Sequence, residues 1–203
     1  MDRPAVVIDV TKECIRNRDY EVTVDDLNKW ELLHGHIPEG AVILIKTGWA
    51  RYWPIKEQYF GTETNDPSSA HFPGIHPTAA RWLVQNRNIV GVGIEGPSVD
   101  AGQAAATETH VILFEKNVYG LENVPNLYQM PPRGSLVTIL PLKLEGGSGS
   151  PVRIIANLKP SLRGVNSGPA SKSSSFLMLM ISLFFSASSS HVIGKKLLRP
   201  PSS

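Results

Sequence analysis

Residues 4–10 read Pro-Ala-Val-Val-Ile-Asp-Val, and residues 41–47 read Ala-Val-Ile-Leu-Ile-Lys-Thr. Both runs are short, rich in β-branched residues and poorly alternating, which is the pattern of a buried strand. A third run, Ile89 to Ile94, carries Gly91 and Gly93, where another backbone is expected to approach closely. Helical patterns separate the three. Thr23 is placed as an N-cap ahead of Val24, Leu27, Trp30 and Leu33 at helical spacing, with Asp25 and Asp26 in the first turn where the helix dipole favours acids. Gly35 and Pro38 end that helix. Pro77 to Arg87 reads as a second helix, with Pro at its first position and His76 as the N-cap. Three shorter strands follow at Val118–Leu121, Leu136–Leu142 and Val152–Leu158, the last two joined by the flexible loop Glu145–Ser150. His110–Phe114 is a short apolar segment between them. Strands mixed with amphipathic helices predict an α/β domain on a mixed β-sheet.

The chain has 203 residues, of which 41% are hydrophobic. That suffices for one core plus an extension and excludes wholesale disorder. A single cysteine, Cys14, excludes an intrachain disulfide framework and a thiolate zinc cage. Residues 1–145 hold 18 acidic and 13 basic residues, a net of −5, whereas residues 146–203 hold 7 basic and no acidic residues. The acidic part has no basic stripe with interleaved aromatics, so nucleic acid is not an expected partner. Composition divides the chain into a domain at 1–158 and a Ser-rich tail at 159–203. The apolar run 176–185 is roughly ten residues, against about 20 needed to span a bilayer. The tail reads as a disordered or alternatively spliced extension, as a lipid-anchor-like signal or as an interfacial segment. Membrane contact through the tail therefore stays open. A cytoplasmic location is the expectation, with a lipid-anchored or secreted one as the alternatives.

Among the histidines, His34 and His36 lie past a helix end, where imidazoles meet free carbonyls. His71, in His71-Phe72-Pro73-Gly74, has the setting of a loop hydrogen bond. His110 and Glu122 stand twelve positions apart. An imidazole and a carboxylate brought together form part of a divalent metal site, and the same two residue types also serve as a satisfied core histidine and a surface acid. Spacing alone leaves both readings open. Trp49, after a strand end, is a candidate wall for an aromatic substrate or a core residue. Ser98 and Asp100 are placed in the loop that presents His110.

Taken together, these stretches resemble the cyclase-type metal-dependent hydrolase family, which includes bacterial kynurenine formamidase and isatin hydrolase. The resemblance is carried by Pro4–Val10, Asp19–Leu27, Ile37–Val42, Lys46–Trp49, His71–Ile75, Gly91–Asp100, Asn117–Asn123 with His110 upstream, and Pro141–Arg153. It covers about residues 4–158 in continuous order and is nearest the isatin-hydrolase-like branch. The resemblance implies a swivelling β/β/α cyclase-like fold and a mononuclear or binuclear metal hydrolase acting on a small aryl or cyclic amide, as in tryptophan catabolism. It implies that His110 and Glu122 are metal ligands, for manganese or zinc, and that Trp49 contacts substrate. It also implies a His-x-x-x-His-x-Asp ligand motif upstream of Pro4, which this sequence does not contain. The expectation is therefore an N-terminally truncated copy holding two of about five donors, with no catalytic residue assigned and doubtful activity. The alternative is a non-catalytic binding or oligomerisation subunit, in a homo-oligomer or paired with a full-length paralogue.

Overall fold

The computed structural model describes residues 2–64 and 66–158, together with the backbone of Phe176–Leu179. Four parallel strands form one side of a sheet: β1 (Arg3–Asp9), β3 (Val42–Lys46), β5 (Gly91–Ile94) and β6 (Tyr119–Leu121). Two further strands, β7 (Arg133–Pro141) and β8 (Val152–Asn157), continue it antiparallel, and β9 (Phe176–Leu179) pairs outside β8. The described order is β6-β5-β3-β1-β7-β8-β9. A parallel pair, β2 (Glu21–Val22) and β4 (Gly74–Ile75), makes a second small sheet. Apart from the strand at 176–179, the tail assigned from composition lies outside the described residues.

Five helices connect the strands: α1 (Thr11–Arg16), α2 (Val24–His34), α3 (Lys56–Phe60), α4 (Pro77–Asn86) and α5 (Glu108–Phe114). The core of α2 and α4 reads as expected from their caps. The Thr23 hydroxyl accepts the Asp26 N–H at 3.3 Å, and the Asp26 carboxylate accepts the Thr23 N–H at 2.8 Å, a reciprocal capping box. The His76 ring nitrogen accepts the Thr78 N–H at 3.2 Å, so an imidazole caps α4. The apolar segment at 110–114 is part of a helix, which spacing alone did not assign.

The parallel strands are apolar on both faces because both faces are covered. Val6, Ile8, Ile43, Ile45, Val92 and Ile94 pack under α2, α4 and α5. Ala5, Val7, Val42, Leu44 and Leu121 face the other way, onto Val124, Leu127, Met130 and the inner residues of β7 and β8. Gly91 and Gly93 are close-approach positions, but side chains rather than a backbone fill the space. A Cβ at Gly91 runs into the Tyr119 ring, and one at Gly93 meets Leu44 at 2.8 Å. Beside a register shift between Ala5 and Val6, the Trp30 indole N–H donates to the Val7 carbonyl at 2.9 Å and ties α2 to the sheet.

One ion pair clamps the ends of α2 and α4. Both Glu31 carboxylate oxygens accept from Arg87, at 2.7 and 2.5 Å, and Oε1 also accepts the Ile37 N–H at 2.9 Å. The Arg87 hydrogen bond holds the Glu31 carboxyl down at about 2. A depressed carboxyl contributes stability above its unfolded value, near 4.3, and loses it as pH falls towards 2. We expect Glu31→Gln to cost about 2 kcal/mol at pH 7. The deficit against wild type shrinks as the pH of the urea melt is taken from 5 down to 2. An unchanged deficit at pH 2 contradicts the assignment.

Candidate metal centre

The carboxyl ends of β3, β5 and β6 lie side by side, and the residues that follow them build the site. In open α/β sheets this end is where ligand crevices form. Twelve residues of chain bring His110 and Glu122 together. After α5 the chain reverses through Asn117, whose φ of 56° is in the left-handed region that asparagine tolerates. The Val118 N–H then donates to the Leu113 carbonyl at 3.0 Å, and β6 begins. This returns Glu122 to the first turn of α5, where His110 projects.

The imidazole of His110 lies between two carboxylates. Its Nδ1 is 2.5 Å from Asp100 Oδ2, and its Nε2 is 3.1 Å from Glu122 Oε1. Asp100 is buried and has a second task. Its Oδ1 accepts the Thr109 N–H at 2.7 Å, and its Oδ2 accepts the His110 N–H at 3.4 Å, so it caps α5 from ten residues upstream. Thr107 offers no side-chain cap of its own. Asp100 is in turn set by the Ser98 hydroxyl, which accepts its N–H at 3.1 Å. The loop expected to present His110 thus does so by direct hydrogen bonds.

The hydrogen bond to Asp100, joined by the one to Glu122, raises the His110 imidazole to about 9. Burial works against ionisation of Asp100, but the His110 and Thr109 hydrogen bonds hold its carboxyl below the usual range. An ionised Asp100 keeps a proton on Nδ1 and turns Nε2 towards Glu122. Two donors to one small cation at about 2.1 Å each stand about 3.0–3.4 Å apart. The 3.1 Å separation of Nε2 and Oε1 fits that spacing. A nitrogen, a carboxylate oxygen and a carboxylate behind the ring thus converge at the end of the sheet. Among the described residues no cluster of three or more His, Cys, Asp or Glu side chains forms a complete cage.

The pair opens into a groove of about 1060 Å³ whose walls include Phe114, Tyr119, Ile139 and Val152. Phe114 lies one helical turn past His110, with ring centroids 5.3 Å apart, and is half exposed. Trp49 is elsewhere. It is 2% exposed, packs with Tyr59, Ala70 and Phe72, and spends its indole N–H on the Tyr59 carbonyl at 2.8 Å. The Arg18 guanidinium covers its ring at 4.8 Å. Beside it, Glu95 is buried, accepting the Gly48 N–H and, at 3.4 Å, the Thr47 hydroxyl. Burial raises the Glu95 carboxyl even though three backbone N–H groups at 47–49 oppose the shift. Two other histidines have structural partners: His71 Nδ1 is 2.8 Å from Asp19, and His36 is 3.5 Å from Glu31.

The family model Cyclase matches residues 1–101. Isatin hydrolase from Roseibium aggregatum is 34% identical over 157 residues, which is 75% of this chain and 58% of that protein. Kynurenine formamidase from Polaromonas naphthalenivorans is 36% identical over 94 residues, 46% of this chain and 41% of that protein. Among solved structures, isatin hydrolase A from Labrenzia aggregata, bound to benzyl benzoate, superposes with a TM-score of 0.71 at 37% identity. That match covers 76% of this chain and 60% of the solved one. The chain belongs to the cyclase family. The mixed α/β architecture of this cyclase-family chain is that of isatin hydrolase. It spans less than two thirds of the length of these relatives.

Sequence reading had placed His110 and Glu122 as a pair, and the structure brings them together. It had not given Asp100 the imidazole, nor found Phe114. The i, i+4 spacing of His110 and Phe114 carried that signal only once α5 was known to be a helix.

A group whose folded-state value is raised contributes fully below its unfolded value, near 6.5, and loses the contribution as pH rises through about 9. Without added metal, we expect wild-type stability to fall by ~2 kcal/mol between pH 6.5 and 9.5. In Asp100→Asn that slope flattens. Parallel pH profiles for the two proteins in denaturant melts contradict the arrangement.

Proposed function

We propose that this chain carries one half of the metal site, and part of the substrate groove, of a metal-dependent hydrolase acting on small aryl or cyclic amides. The observation that carries the reading is the convergence of His110 Nε2 and Glu122 Oε1 at the carboxyl end of the sheet, with Asp100 fixing the tautomer. The names of the relatives, isatin hydrolase and kynurenine formamidase, give the substrate class. Cyclase-family hydrolases are generally metal-dependent. His110 and Glu122 are the residues that hold the ion, and an imidazole with a carboxylate suits zinc or manganese. When bound, such an ion polarises an amide carbonyl and acidifies a water molecule.

The chain's own residues supply the surroundings. Asp100 bonds to Nδ1 and so directs Nε2 at the place the ion would take. Phe114 and Tyr119 line the groove with aromatic surface that matches an aryl substrate. Trp49, assigned to substrate from the resemblance, takes a supporting role here, since its ring is covered on the inside of the fold. Two donors fall short of the three or four that hold catalytic zinc. The chain alone is therefore a weak metal binder with little turnover.

A second reading has its own support. Among the described residues no strand pairs with the outer edge of β6, which carries Glu122 at its end. An open strand edge beside an incomplete donor set is where a second polypeptide adds. A non-catalytic subunit, assembling with itself or with a complete paralogue, uses that edge.

The test is titration of the full chain with Mn²⁺ and Zn²⁺ by calorimetry at pH 7, and an assay on isatin and N-formylkynurenine. We expect weak binding with displacement of a proton, no detectable binding by His110→Ala or Glu122→Gln, and turnover near background. Unchanged binding in both variants removes the metal reading. Efficient hydrolysis by the chain alone removes the half-site reading. A pull-down with the full-length paralogue that recovers nothing removes the subunit reading.

A further inference from the structure

The turn that aims Glu122 is built from contacts outside its own segment. Glu122 is followed by Asn123, whose φ of 57° lies in the left-handed region. The Asn123 N–H donates to the Gly96 carbonyl at 2.9 Å, and the Val124 N–H donates to the Ile94 carbonyl at 2.9 Å. The chain leaving β6 is thus strapped across the end of β5. A left-handed asparagine is less costly than most residues but still disfavoured over an extended backbone, so something must hold it. The Asn123 side-chain amide meets the hydroxyl of Tyr59, which also lies 3.1 Å from the Glu95 carbonyl.

Tyr59 is 2% exposed and cannot follow a moving partner. Its backbone carbonyl accepts the Trp49 indole, and its ring meets Trp53 and Phe60 edge-on at 5.4 and 5.5 Å. Its phenol is raised by burial and then by the charges of Glu122 and Glu95, so it keeps its proton at neutral pH. From this geometry we infer that Tyr59 is the positioning residue of Glu122: it pins the Asn123 side chain, and so sets the turn that directs the Glu122 carboxylate at His110. Trp49 anchors Tyr59 in turn. This rests on the reading of Glu122 as a metal donor, and extends it to a residue 63 positions away that touches neither metal nor substrate.

Three variants of the full chain separate the roles. Tyr59→Phe keeps the ring and removes the hydroxyl. Asn123→Gly keeps the left-handed backbone and removes the amide. The third combines them. Hydrogen exchange in the metal-free protein is the first readout. Tyr59→Phe should lower protection of the Asn123 and Val124 amides by about tenfold, leaving Ile43 and Leu44 unchanged. The second readout is Co²⁺ titration followed by visible absorption. Each single variant should weaken Co²⁺ binding by about tenfold, the loss expected for an outer partner of a ligand. The double variant should lose no more than either single one. Ile154→Val, which loosens the far side of the core, should leave Co²⁺ binding unchanged.

Unaltered exchange at 123 and 124 in Tyr59→Phe overturns the inference, as does unaltered Co²⁺ affinity or full additivity of the two variants. Glu122→Gln is the reference. If it binds Co²⁺ like wild type, the metal reading fails, and the exchange measurement, which needs no metal, still decides whether Tyr59 holds the turn.

Discussion

The site depends on one buried carboxylate bonded in two directions. Asp100 accepts the backbone N–H of Thr109 through one oxygen and the imidazole of His110 through the other. The first bond starts α5, and the second orients the ring that α5 carries. Helix and ligand are therefore a single cooperative feature, in which the start of the helix and the tautomer of the histidine are fixed together. A local cap on Thr107 could start the helix, but it could not turn the ring. The neighbouring positive end of the helix also favours the ionised form of Asp100, which is the form that bonds to the ring at Nδ1.

A second constraint acts across the strand ends. β3, β5 and β6 stop at the same level, and each is followed by a residue that bonds to the next. The Thr47 and Gly48 groups hold Glu95, the Glu95 and Gly96 carbonyls meet Tyr59 and Asn123, and Asn123 adjoins Glu122. These bonds are made by backbone groups and side chains at the ends of rigid strands, together with the buried Tyr59 phenol of α3. Little conformational entropy remains to be lost there when a ligand arrives. The aromatic cluster of Trp49, Tyr59, Phe60 and Phe72 stiffens the same end from outside.

Much of the fold was legible because its determinants are local. The β-branched runs at 4–10 and 41–47 become the central strands, and the caps at Thr23 and His76 start the two helices that cover them. Short elements were illegible where their determinants come from a distance. α5 is capped by a side chain nine residues from Thr109, α1 has an N-cap residue, Val10, with no capping side chain, and β2 and β4 pair two residues at a time across more than fifty positions. In the site, the pairing of His110 with Glu122 was visible only through family resemblance, because twelve-residue spacing has no intrinsic geometry. Asp100 was seen as a loop former, and its bond to the imidazole was not visible. Trp49 follows a strand end as a ligand-contacting residue does, yet its pattern cannot distinguish a groove wall from the anchor behind it.

Two donors held at the spacing of a shared cation are a different object from two donors on a flexible chain. His110 is locked by Asp100, and Glu122 follows a strand that is clamped to β5, so neither needs to be ordered on binding. Between them, without an ion, the protonated imidazole bonds to both acids, through Nδ1 to Asp100 and through Nε2 to Glu122. The ion and that proton compete for one place, Nε2, so occupancy by metal requires the loss of a proton that the two carboxylates hold tightly. On the proposed metal reading, the pair therefore faces two penalties, the small number of donors and the bound proton.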